Sequence, residues 1–175
     1  MKRIWILAFT MIALAAGFAA AQTTEPDPEV QQAKEETAVV FDLGRVFGFI
    51  QTMEQEDPSL ELSGDQIREL YTIMTAVKQS DRINPNRADE WLVTIEDQIL
   101  TVDQLMYVDQ LYLARANSSG SGDGTGAGNG AGGTGTASGL IATYIAGGAF
   151  NPIIDASKSM GEDFLAYYDE LTARR

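Results

Sequence analysis

Carboxylates are the abundant reactive side chains of this sequence, and they come in runs: Glu54, Glu56 and Asp57; Asp89 and Glu90; Glu96 and Asp97; Glu162 and Asp163; Asp169 and Glu170. Two carboxylates can hydrolyse a glycoside when they face each other across a cleft. Neighbours in a helix point in different directions, and most of these acids fall on polar faces, so they read as solvated surface. Lys158 lies between Ser157 and Ser159, but this is not the S-x-x-K spacing of a serine–lysine nucleophile. There is no histidine and no cysteine. A Ser-His-acid triad and an ordinary zinc site are therefore ruled out, and so is a thiol nucleophile. The acids show no EF-hand loop spacing. The expectation is a protein that is not an enzyme, with no catalytic, cofactor-binding or metal-binding residue.

The elements that would carry these residues are helical. Leu43, Val46, Phe47, Ile50 and Met53 recur at helical spacing, which predicts a helix over about 43–55, broken by Asp57-Pro58-Ser59. Ile67, Leu70, Tyr71, Met74 and Val77 make one apolar stripe on a second helix that opens at Ser63. Asn84-Pro85-Asn86 is a start signal for a third, striped by Ala88, Trp91, Leu92, Ile95 and Ile99. Thr101 opens a fourth that runs to about residue 116, with Leu105, Val108, Leu111 and Tyr112 expected inward. Short connections make such helices antiparallel neighbours. The expected fold class is all-α: a small antiparallel helical bundle with a C-terminal helical arm.

One pattern occurs twice, as Leu62-Ser63-Gly64-Asp65-Gln66 and Leu100-Thr101-Val102-Asp103-Gln104. A hydroxyl at the cap accepts from the backbone N–H three residues on, and the glutamine reaches back to the cap's own N–H. The aspartate adds negative charge where the helix dipole favours it. Leu62 and Leu100 can staple onto Ile67 and Leu105. Every position thus has a structural role. The pattern also resembles the motif of the periplasmic L-T-x-x-Q (Spy/CpxP-like) proteins, intact in the second copy and with serine for threonine in the first. That resemblance covers under half of the chain. It implies an exported, all-helical protein without cofactor chemistry that acts in envelope stress, as a chaperone or an inhibitor of stress sensing. Here the chain departs from the cradle-forming members, whose surface is positively charged. Met74, Trp91, Met106 and Tyr112 are candidates for a groove that binds peptide segments, because methionine and aromatic side chains adapt to varied partners. Their alternative role is core packing.

Lys2 and Arg3, the apolar run Ile4 to Phe18 and the small residues Ala19-Ala20-Ala21 have the three-part layout of a secretory signal over 1–21. The run has about 15 residues, short of the roughly 20 that a membrane span needs, so no integral span is expected after cleavage. The destination is the periplasm or the medium. Cleavage would remove two basic residues and no acidic one, which takes the formal charge from −13 to −15. So acidic a chain disfavours nucleic acid and anionic lipid. Without cysteine the fold rests on its core, with no disulfide.

Residues 22–38, acidic and with two prolines, are expected to be a disordered lead-in to a bundle at 39–117. Ten glycines among residues 118–139, with no large side chain, read as a flexible linker of roughly 26 Å span. Residues 140–175 form the arm: a short helix stopped by Gly147-Gly148, a turn at Asn151-Pro152, and a last helix striped by Met160, Phe164, Tyr167 or Tyr168, and Leu171. The arm docks back on the bundle or, alternatively, on another molecule. The expected partners are other polypeptides or the chain itself. The expected function is envelope interaction or chaperone-like binding of polypeptides, with a structural or assembly module built on the arm as its rival.

Overall fold

The computed structural model describes residues 27–119 and 134–175. The expected signal peptide, the start of the lead-in and residues 120–133 of the expected linker lie outside the described residues. The described residues form six α-helices: α1 (Pro28–Glu56), α2 (Gly64–Gln79), α3 (Pro85–Thr94), α4 (Val102–Ser119), α5 (Thr134–Ile145) and α6 (Ser159–Arg174). There is no strand among them, only an isolated bridge between Arg82 and Phe150. The all-α expectation holds. No described helix is long and apolar enough to cross a membrane.

α1 is the hub on which α3, α4, α5 and α6 all pack, while α2 packs on α6. Its Leu43, Phe47, Ile50 and Met53 are fully buried, as the stripe predicted. The helix also begins far earlier than expected, so residues 28–38 are helix and not a disordered lead-in. Asp27 caps it by accepting from the Glu29 N–H at 3.0 Å, and Pro28 stands in the first turn, where its missing N–H costs nothing. Gln31 and Gln32 donate to Glu35 and Glu36 one turn on, at 3.0 and 2.8 Å. Ala33 and Thr37 are buried. The composition argued against order because too little here is apolar. Two small residues suffice, however, once α5 lies on the helix, and Tyr144 of α5 donates to Glu36 at 3.3 Å.

The C-terminal arm docks within the same chain. Phe150, Ile153, Phe164, Tyr167 and Leu171 are all buried. The Phe47 and Phe164 rings meet edge to face at 5.3 Å. Asn151 donates to the carbonyls of Val77 and Ser80 at 2.8 and 2.7 Å, closing the open end of α2, while its own Oδ1 accepts from the Ile153 N–H. Ile83 donates to the Phe150 carbonyl at 2.8 Å, and Phe150 donates to that of Asp81 at 2.9 Å. Gly147, at φ 75°, ends α5 in the left-handed conformation that glycine adopts without penalty. Gly161 lets α6 turn against the preceding loop, because a Cβ there would run into the Asp155 backbone.

Candidate functional site

The two motif copies come together. Each forms its expected box. Ser63 N–H donates to Gln66 Oε1 at 2.9 Å, and Gln66 N–H donates to Ser63 Oγ at 3.4 Å. Thr101 N–H donates to Gln104 Oε1 at 2.9 Å, and Gln104 N–H donates to Thr101 Oγ1 at 3.3 Å. The glutamines then reach across to the other copy. Gln66 Nε2 donates to Gln104 Oε1 and to the Ile99 carbonyl, both at 2.6 Å. Gln104 Nε2 donates to the Leu60 carbonyl at 3.0 Å. Each side-chain amide therefore caps its own helix and also holds the chain just before the other. Gln104 is buried, as are Leu62 and Leu100, so these bonds form where water competes poorly. A π-type turn at Ile95–Ile99 delivers the second copy to this position, and its end is marked by a bond from Leu100 N–H to the Ile95 carbonyl at 2.9 Å.

Beside the clasp sits an ion pair that sequence reading missed. Glu54 of α1 accepts from Leu62 N–H at 2.9 Å, from the Tyr167 hydroxyl at 2.7 Å and from Arg174 at 2.9 and 3.2 Å. Burial works against its charge, but the bonds from Arg174, Tyr167 and Leu62 outweigh burial and hold its carboxyl below the ordinary value. The Tyr167 hydroxyl is pushed up, first by burial and then by the Glu54 charge. The Arg174 guanidinium joins α6 to Glu54 and Glu61. The contributing residues are more than a hundred positions apart, so no local pattern could announce the pair.

The four candidate peptide-binding residues are not brought together. Met74 is fully buried, and Trp91 is buried with the Arg87 guanidinium 5.1 Å above its ring. These two are core, because α1 and α6 close over the faces that carry them. Met106 is 56% exposed. Tyr112, expected inward, is 44% exposed, with its ring edge on Phe49 and its hydroxyl 3.5 Å from Asp42. Val102 and Leu113 were not singled out from the sequence, yet they are 74% and 61% exposed. With Val93 of α3, these are the large apolar side chains exposed among the described residues. All of them lie on α3 and α4.

Comparison with protein-family models, with curated proteins and with solved structures finds no match to this chain.

Acidic groups gather around the turn between α3 and α4. Glu96 is pushed above the ordinary carboxylate value, first by burial and then by Asp109, Asp97, Asp42 and Asp89. Those acids come from α1, α3, the π-type turn and α4, and Arg45 pairs with Asp42 among them. Among the described residues, no group of three or more carboxylates is arranged to hold a metal ion. Of the serines flanking Lys158, Ser157 sits in the turn before α6, where its Oγ donates to Asp155 at 2.6 Å, and Ser159 opens α6.

Proposed function

We propose that this is an exported, non-enzymatic protein that binds segments of other polypeptides, in a chaperone-like manner, on the exposed apolar side chains of α3 and α4. The observation that carries the reading is that the large exposed apolar side chains among the described residues all lie on α3 and α4, with Val102, Met106 and Leu113 on one side of α4. Contiguous exposed apolar surface marks an interaction site. The arm, in contrast, has its apolar residues buried within its own chain, so α3 and α4 offer the better docking surface. The signal-like N-terminus and the twin motifs support export and a kinship with envelope-stress proteins.

The test uses the chain from Gln22 onward and a chemically unfolded client. The wild type is expected to delay client aggregation, and a Met106→Asp/Leu113→Asp variant to lose that effect. If the wild type neither binds nor delays the client, the reading falls. Export is tested separately: cell fractionation of the full chain should find it outside the cytoplasm, beginning at Gln22.

A further inference from the structure

We infer that the partner segment taken by the outer side of α4 is a basic amphipathic helix, its apolar stripe along Val102, Met106 and Leu113 and its lysines and arginines against Asp89, Glu96 and Asp109. The inference rests on the binding reading above and names the chemistry of what is bound.

Val102, Met106 and Leu113 recur at i, i+4 and i+11, so they share one side of α4 within a narrow arc. Their span is roughly 16 Å at 1.5 Å per residue, or three helical turns. That matches the anchor spacing by which a helix is read from its apolar side. Asp109 stands in the same stripe, two turns from Val102, and Tyr112 flanks it toward Asp42. On α3, Asp89 and Val93 are one turn apart, and Glu96 follows. The apolar stripe of α4 thus carries Asp109 within it, and Asp109 and Asp89 are both close enough to Glu96 to act on its charge.

The acids select the occupant. Four carboxylates surround Glu96, and burial, together with their charge, holds it above its ordinary value. Arg45 is engaged with Asp42, and Arg115 of α4 is engaged as well. A lysine or arginine from outside relieves the repulsion, and such complementarity sets specificity and association rate. A second copy of this chain would set the same acids against each other, on molecules already carrying −13 in formal charge.

The experiment is a binding titration of the chain from Gln22 onward with two synthetic helical peptides. They share a leucine stripe, and their polar faces carry lysine and arginine in one and glutamate in the other. The basic peptide is expected to bind at least tenfold tighter and to weaken as salt is raised. Met106→Asp/Leu113→Asp and Glu96→Gln/Asp109→Asn should each weaken it at least fivefold, with helicity and unfolding midpoint unchanged. Equal affinity for both peptides and no salt dependence would overturn the inference while leaving polypeptide binding intact. Failure of both peptides, with client protection still present, would overturn it by placing the client elsewhere. A dimer that Met106→Asp dissolves would make the occupant a second copy and overturn it too. Loss of client protection by the wild type would instead remove the reading on which the inference rests.

Discussion

Glu54 shows how a single side chain can bind three elements together: α1, which carries it; the strand of chain leading into α2, through Leu62 N–H; and α6, through Tyr167 and Arg174. The Glu54 side chain is 6% exposed and that of Arg174 is 23% exposed. A fully buried pair costs about 3–5 kcal/mol to break. Because water reaches Arg174, Glu54→Gln should lose somewhat less, about 2–3 kcal/mol in urea unfolding at neutral pH. The pH dependence follows from the lowered pKa. A carboxyl held below its ordinary value of 4.5 contributes stability that is fully present above that value and lost as pH falls through the lower, folded one. The gap between wild type and Glu54→Gln should therefore narrow once the pH drops below about 4.5. A gap that stays constant down to pH 3 would mean that the hydrogen bonds, and not the charge, carry the effect.

The paired helix starts are best tested as one element. Two independent capping boxes would each be worth about 1 kcal/mol and would add. Here Gln66 and Gln104 share a bond at 2.6 Å, and each holds the chain before the other's helix. Gln66→Ala and Gln104→Ala should each cost more than a simple cap, Gln104→Ala the more because it is the buried member. A double-mutant cycle should return a coupling of at least about 0.5 kcal/mol. Additive losses would reduce the twin motifs to two separate caps. The box itself was legible in the sequence, since spacing and residue type define it. The clasp was not, because nothing local says that the two helix starts meet.

At the scale of the molecule, the chain beyond the glycine-rich segment is part of the core. Removing residues 140–175 would uncover the buried partners of Phe150, Ile153, Phe164, Tyr167 and Leu171 along α1 and α2. Each large buried side chain contributes about 1.5–3 kcal/mol, and the total stability of a domain this size is about 5–15 kcal/mol. The truncated chain should therefore lose its cooperative thermal transition by circular dichroism. A truncated chain that still melts cooperatively near the wild-type midpoint would mean that α1–α4 form a self-sufficient bundle.

Helix type, the starts of α2, α3 and α4 and the apolar stripes of α1, α2, α3 and α6 were determined by the sequence, because periodicity and capping are local and act over one or two turns. So was the lack of histidine and cysteine chemistry. The tertiary structure alone decided that residues 28–38 are helix, that Met74 and Trp91 are core while Val102, Met106 and Leu113 face outward, and that Glu54 meets Arg174. The reason is the same in each case. A stripe says that a face is apolar, but whether that face is covered depends on which distant element arrives to cover it, and here α5 and α6 settle on α1 and α2 and leave the outer side of α4 open.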